Sequence, residues 1–392
     1  MAERPMPLDE GLQTRVALRL AALRESRLSR SLRAPCGIDL CSNDYLALSQ
    51  HPVLKARMIE AVGREGCGST GSRLLRGERD SFADVERKFA TCKGTDRALY
   101  FSSGYLANIA VLTTLPEAGD VVFSDERNHA SLIDGIRLSP ARRVIFPHKD
   151  TQTLARQIAD ARGGGQAFIV TESLFSMDGD TAPLTAYAAL ARSTGAQLIV
   201  DEAHAVGVFG ARGSGLIEAA AIDGDVTASV NTAGKALGVS GAFVAGPSWV
   251  VEYLIQRARP FIFSTAPPPA VAAAIGAALD IVASEPERRD RLARLSSHFR
   301  ARLADSGIAA SAGDSHIISV VLGENERAVS IAMALQAEGF DVRAIRPPSV
   351  PPGSARLRIT VNVGLSEATI DRFVTALAAS VRESPECSAV SS

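Results

Sequence analysis

Between residues 98 and 245 the chain repeats one pattern, a short apolar run followed by a helix-forming stretch. The runs are Ala98–Phe101, Val121–Ser124, Arg143–Phe146, Ala167–Thr171, Gln197–Val200, Val226–Val230 and Ala242–Ala245. Between them, Ala107–Leu115, Ser131–Leu138, Thr151–Ala161 and Leu184–Thr194 read as helices. Apolar strands that alternate with helices are buried on both faces, which predicts an α/β fold with a mostly parallel, seven-stranded sheet flanked by helices. Ligands of such sheets gather beyond the carboxyl ends of the strands. The polar residues fall there: Ser102 to Tyr105, Asp125 to His129, Glu172 to Asp178, Asp201 to His204, and Thr232 to Lys235.

The rest of the chain frames this series. Leu12 to Leu32 carries apolar residues at helical spacing among arginines, which predicts an amphipathic helix lying on the body or on a partner subunit. His51-Pro52 opens a helix to about Gly63, and Phe82–Cys92 is another. Gly66 to Arg73 is rich in glycine and hydroxyls, so it is either backbone packed against something polar or a structural turn. After Phe263 to Pro269 come helices over Ala270–Ser284 and Pro286–Asp305. Then follow a strand (Ile317–Leu322), a helix (Ala328–Glu338), strands at Val342–Ile345 and Arg356–Val361, and a helix over Glu367–Val381. The expected organisation is an N-terminal helix and arm (1–50), a large domain (51–280) and a small C-terminal α+β domain (281–392), with a frayed tail from Glu383.

With 392 residues and a net charge of −1, the chain has the size of a two-domain enzyme, and its near-neutral balance argues against nucleic acid or an anionic membrane as partner. No apolar run reaches membrane-span length, and Met1 to Pro5 carries no signal pattern. The cysteines (Cys36, Cys41, Cys67, Cys92, Cys387) lack metal-ligand spacing. Asp178 and Asp180 read as turn formers. A cytoplasmic protein without a metal is expected.

The chemistry centres on Lys235, which lies among small residues from Val230 to Gly241. Small neighbours leave room for a bulky group, and a desolvated lysine is a usable nucleophile or Schiff-base former. Asp201 ends an apolar run, so a buried carboxylate there needs a cationic partner; a helix cap is the alternative. His204 follows it, either at the site or as a core histidine. Gly104 and Tyr105 precede a helix, whose N-terminal amides can bind a phosphate, and Thr232 offers a hydroxyl to the same group. His129 supplies a flat ring for stacking, or simply starts a helix. Taken together, a phosphate cradle, a stacking ring, a buried Asp and an amine describe a site for pyridoxal phosphate.

The motifs that carry a family resemblance run through nearly the whole chain. They are Ser42-Asn43-Asp44-Tyr45-Leu46, Gly68 to Arg73, Ser103-Gly104-Tyr105, Asn128 to Ser131, Ser176 to Asp180, Asp201 to Gly207, and Thr232 to Lys235. In these the chain resembles the α-oxoamine synthases, fold-type I pyridoxal phosphate enzymes. That family joins an amino acid to an acyl thioester with loss of carbon dioxide. Phe175 to Pro183, Gly234, Phe263-Ser264-Thr265 and Ala344 to Arg358 are similar to the members that condense L-alanine with a pimeloyl thioester, carried by coenzyme A or a carrier protein, in biotin synthesis. Members that use glycine or serine with other acyl chains, and a cofactor-binding relative without turnover, are the alternatives.

The resemblance implies a role for each site residue. Lys235 would hold the cofactor as a Schiff base and move the Cα proton. Asp201 would pair with the pyridine nitrogen, His204 and Ser176 would lie near the phenolic oxygen, and His129 would stack on the ring. Gly104, Tyr105 and Thr232 would serve the phosphate, and Ser264 and Thr265 would reach the phosphate of a neighbouring subunit in a homodimer with shared sites. Arg358, helped by Asn43, would bind the amino-acid carboxylate. Arg346 and Ser349 would lie near the acyl substrate, with Arg30 or Arg27 as the N-terminal arginine. Two departures stand out: Ala47 replaces the family's usual glycine, and Thr360 to Gly364 lacks the histidine that commonly follows.

Overall fold

The computed structural model describes residues 8–161 and 164–384. Met1 to Pro5, Cys387 and the 385–392 part of the expected tail lie outside the described residues. Within them the strands are β1 (Ile38–Asp39), β2 (Arg97–Phe101), β3 (Val121–Asp125), β4 (Arg142–Phe146), β5 (Ala167–Glu172), β6 (Gln197–Asp201), β7 (Val226–Thr232), β8 (Ala242–Gly246), β9 (Ile317–Gly323), β10 (Phe340–Asp341), β11 (Ala344–Ile345) and β12 (Ala355–Thr360).

The seven expected strands form one sheet in the order β2-β8-β7-β6-β5-β3-β4. All neighbours are parallel except β8, which runs antiparallel to both β2 and β7. Each strand alternates sides. Val122, Val170 and Ile199 join one buried cluster, whereas Phe123, Ile169, Leu198 and Val200 join the other. That two-residue alternation, apolar on both sides, buries the inner strands on both faces, while the edge strand β4 leaves Arg142, Arg143 and Ile145 exposed.

A third cluster packs the Pro52–Glu65, Asp80–Lys93, Pro269–Ser284 and Glu287–Asp305 helices with β9, β12 and the Glu367–Glu383 helix. There β11-β12-β9 form an antiparallel sheet, the smaller α+β unit. The expected Val342–Ile345 strand shortens to β11 (Ala344–Ile345), which pairs with β12, while Phe340–Asp341 just before it forms β10 and pairs in parallel with β1. The arm before residue 50 is thus stitched by backbone to the C-terminal third of the chain. Residue Glu383 ends the last helix rather than starting a frayed tail.

The N-terminal helix runs Leu8–Glu25, shorter than the apolar spacing predicts, and the chain turns at Arg27 with a φ of 55°. Leu12, Val16, Leu20 and Leu23 are spaced for one stripe, yet all are exposed. Of the two expected seats, the body and a partner subunit, the described residues of this chain's own body do not cover the stripe.

One loop placement matters for the site. Gly238 has a φ of 67°, and a Cβ there would meet the Ser49 backbone nitrogen at 2.4 Å. Only glycine allows this approach. It clamps the Lys235 loop against the turn that follows Tyr45. Among the described residues no single helix is long and apolar enough to cross a membrane.

Candidate active site

The strand ends assemble two linked networks. In the first, Asp201 at the end of β6 is buried and accepts from Asn108 Nδ2 at 2.7 Å and from the Ala203 amide at 2.8 Å. Asn108 Nδ2 also donates to Ser131 Oγ at 2.9 Å, and Ser131 Oγ lies 2.8 Å from His129 Nδ1. The Ser131 amide donates to the same ring nitrogen at 3.2 Å, so Nδ1 is an acceptor and a neutral His129 carries its proton on Nε2. Burial pulls the His129 pKa down against the charge of Asp201.

In the second network, Lys235 Nζ stands 2.7 Å from His204 Nε2. His204 Nδ1 is 2.6 Å from the Tyr45 hydroxyl, and that hydroxyl is 3.0 Å from Asn43 Oδ1. Arg358 directs both Nη1 and Nη2 at Asn43 Oδ1 at 3.2 Å, and Nη1 reaches Thr360 Oγ1 at 3.1 Å. Its Nε donates to the Ser176 carbonyl at 2.5 Å. Asn362 donates to the Asp39 carbonyl and accepts from the Gly364 amide, which holds the stretch after Arg358 without the family's histidine.

Electrostatics separate these groups. Burial lowers the Lys235 pKa to about 8, although Asp201 and Glu172 oppose it. His204 is held well below its ordinary value by burial and by the charges of Lys235 and Arg358. Burial and the nearby Asp201 push Glu172 up to about 8, so at neutral pH its carboxyl is mostly protonated. Arg358 is a buried guanidinium, and among the described residues no carboxylate lies within 4 Å of it. Such a group is normally paired.

Other expected residues lie around these networks. Gly104 opens the Gly104–Thr114 helix behind its cap Ser103, and a Cβ on it would come 3.7 Å from Thr232 Cβ. Thr232 Oγ1 accepts from the Gly234 amide at 3.2 Å. Tyr105 is exposed and donates to Asp134 at 2.7 Å. The Ser176 amide donates to Glu172 Oε2 at 3.2 Å.

Among the described residues no hydrogen bond ties the Ser264 or Thr265 side chain to either network. These two line a small cavity with Arg73, Tyr100 and Ser102. The Gly66 to Arg73 stretch is bonded to the same loop, through Ser69 to the Pro267 carbonyl at 2.6 Å and Gly71 to the Ala266 amide at 2.9 Å. Arg30 and Arg346 form a third group: Arg30 donates to the Pro347 carbonyl at 3.4 Å, and Arg346 donates to the Arg27 and Ser29 carbonyls. The Ser349 amide donates to the Arg346 carbonyl, and its side chain is exposed.

Sequence reasoning assigned no role to Tyr45, Asn108, Ser131 or Glu172. Asn108 had a signal: a lone amide inside the apolar Ala107–Leu112 stretch must find a partner. Asp178 and Asp180 are ion-pair partners of Arg127, Arg356, His148 and Lys149, and no metal-binding group of three acidic, Cys or His residues occurs among the described residues.

Comparison with known proteins agrees with this arrangement. The family model for aminotransferase class I and II matches residues 36–377. An 8-amino-7-oxononanoate synthase of Geobacter sulfurreducens is 46% identical over 93% of this chain and 97% of its own length. A serine palmitoyltransferase from S. paucimobilis, solved with bound PLP-myriocin aldimine, superposes with a TM-score of 0.89 at 29% identity, covering 96% of this chain and 99% of that one. The 8-amino-7-oxononanoate synthase of Francisella tularensis gives a TM-score of 0.78 at 30% identity over 88% and 98% of the two chains. The chain belongs to the aminotransferase class I and II family, and within it to the 8-amino-7-oxononanoate synthases.

Proposed function

We propose that this chain uses pyridoxal phosphate to condense L-alanine with a pimeloyl thioester, giving 8-amino-7-oxononanoate, carbon dioxide and free thiol in biotin synthesis. The observation that carries the reading is Arg358, a buried guanidinium without a carboxylate of its own, connected by hydrogen bonds to the amine of Lys235. A guanidinium so placed binds a small carboxylate, and the amine serves its neighbouring Cα.

The donor set fits the cofactor. Glu172 Oε1 and Asn108 Oδ1 are buried polar atoms without a protein partner beside Asp201, in keeping with a further polar group at this place. Asp201 would hold the pyridine nitrogen, His129 the ring face, and His204 with Ser176 the phenolic oxygen. Gly104, Tyr105 and Thr232 would hold the phosphate. Pyridoxal phosphate, when bound, supplies a ring that accepts the electron pair left on Cα.

The remaining work belongs to side chains. Lys235 anchors the cofactor, is displaced by the substrate amine and takes the Cα proton. Its low pKa keeps a share of the amine neutral for this. Arg358, supported by Asn43, grips the carboxylate until it leaves as carbon dioxide. Arg30, Arg346 and Ser349 would face the acyl chain.

We further read the protein as a homodimer in which Ser264 and Thr265 reach the partner's phosphate. The exposed stripe of the Leu8–Glu25 helix and the exposed Leu75 and Phe263 support this. The domain limits of 1–50, 51–280 and 281–392 belong to the same reading, as does a cytoplasmic location.

The test supplies the purified holoenzyme with alanine, glycine or serine. Each is combined with acetyl, succinyl, pimeloyl or palmitoyl thioesters of coenzyme A, and with pimeloyl carrier protein. Thiol release is expected with alanine and a pimeloyl thioester. Release only with glycine and a short acyl chain would overturn the assignment.

A further inference from the structure

Four successive residues of the loop after β5 are held by the antiparallel sheet and the turn that leads into it. The Ser176 carbonyl accepts from Arg358 Nε at 2.5 Å, and the Met177 carbonyl accepts from Ser319 Oγ. Asp178 Oδ1 accepts from Arg356 Nη1, and the Gly179 carbonyl accepts from Ser315 Oγ at 2.6 Å. Gly179 has a φ of 70°, and a Cβ on it would strike the Ile317 carbonyl, so the two backbones meet with no side chain between them. The sequence predicts only a turn at Asp178. The folded chain makes that turn the seam between the loop and β12.

Of the four contacts, only the one at Asp178 joins two full charges. Its other oxygen accepts from Arg127 Nη1 at 2.9 Å, which ties the carboxylate to the turn after β3. Arg356 is buried, so its charge needs the carboxylate it has found. Arg356 and Arg358 stand two residues apart on β12, so their side chains leave the same face, roughly 7 Å apart along the strand. One of these guanidiniums is paired by Asp178. The other is anchored through Nε to the Ser176 carbonyl, two residues before Asp178 in the same loop. The seating of the loop on β12 therefore fixes where the Nη atoms of Arg358 point.

We propose that Asp178 is a positioning residue for the amino-acid substrate: by clamping Arg356 it seats β12 on the loop after β5 and so aims Arg358 at the substrate carboxylate. Asp178 acts through Arg358 and needs no contact with the substrate. The inference rests on the reading of Arg358 as the carboxylate receiver.

The experiment titrates holoenzyme with L-alanine in the absence of thioester and reads binding as the change in cofactor absorbance. Asp178→Asn keeps the shape of the side chain and removes its charge. It is expected to weaken alanine binding about tenfold, within the range of one charge-assisted contact, while the absorbance of the resting holoenzyme stays as in wild type. Arg358→Ala and the double variant are titrated alongside. Because Asp178 acts through Arg358, the double variant should bind alanine within about twofold of Arg358→Ala alone. A merely structural role would lower the urea midpoint and leave alanine binding where it was. That outcome, or effects that multiply in the double variant, overturns the proposal while the carboxylate role of Arg358 stands. Alanine binding unmoved by Arg358→Ala refutes that role itself, and the positioning with it. Should Asp178→Asn not fold, Arg356→Met decides: it removes the other end of the pair, and unchanged alanine binding in it overturns the clamp.

Discussion

The imidazole of His204 stands 2.7 Å from the amine of Lys235, and both groups are held below their ordinary pKa values by burial. Two bases in contact, each unfavourable in its charged form, leave a minor share of the amine unprotonated at neutral pH and about half at pH 8. A lysine in water would be protonated there.

This availability has a pH signature. Only a neutral amine attacks an aldehyde, and Lys235 has a pKa of about 8. Uptake of pyridoxal phosphate by the cofactor-free protein should accelerate as pH rises toward 8 and level off above it. Stopped-flow absorbance checks this. A rate still climbing about tenfold per unit between pH 9 and 10 would mean an ordinary lysine. Lys235→Ala should abolish both cofactor attachment and product formation.

Arg358 makes its polar contacts with Asn43, Thr360 and Ser176, leaving its charge without a carboxylate among the described residues. Arg358→Ala should raise the KM for alanine on the order of 100-fold, the value of a charge-assisted hydrogen-bonded pair. Arg358→Lys should recover only part, because an ammonium lacks the fork. Steady-state kinetics at saturating thioester measure this. Unchanged KM in both variants would remove Arg358 from the substrate site.

His148 links Asp125 and Asp180 at 2.9 Å on each ring nitrogen. Burial pulls its pKa down, but the hydrogen bonds and charges of the two carboxylates outweigh it and raise the value to about 9. Its contribution to stability should be complete below the unfolded histidine value of about 6.5 and fade as pH rises through 9. His148→Gln should remove this slope from urea midpoints between pH 6 and 9. An identical slope in the variant would place the effect elsewhere.

Ala47 holds a φ of 52° in the turn between Asp44 and Leu48. A Cβ in the left-handed region costs about 1 kcal/mol or more, which glycine avoids while losing part of the gain to unfolded-chain entropy. Ala47→Gly should therefore raise unfolding stability by up to about 1 kcal/mol, read from denaturant curves. A loss of stability would show that the methyl packs more than it strains.

Much of this molecule was legible as a string. The seven sheet strands follow from largely apolar runs bounded by polar turns, because strands covered on both faces are mostly apolar, with the edge strand β4 the more exposed exception. The same logic located the chemistry, since Asp201 and Thr232 are the residues at which β6 and β7 end, with His204 and Lys235 in the turns that follow. What differed was the extent of the Val342–Ile345 strand, of which only Ala344–Ile345 pairs, and the seat of the Leu12–Leu32 helix, expected on the body or on a partner subunit, whose apolar stripe this chain leaves exposed. A strand's partner and a helix's seat are set by residues far away, and local periodicity carries no record of them.

The sequence by itself determined the sheet, the amine and the acid at its strand ends, and the arginine in β12, because burial and chain order decide these locally. Only the tertiary structure brought Tyr45 from the arm to His204, 159 positions away, and Asn43 to Arg358, 315 positions away. A hydrogen bond depends on angstroms between folded segments, and the β1–β10 pairing and the Gly238 contact with Ser49 are what bring those segments to that range.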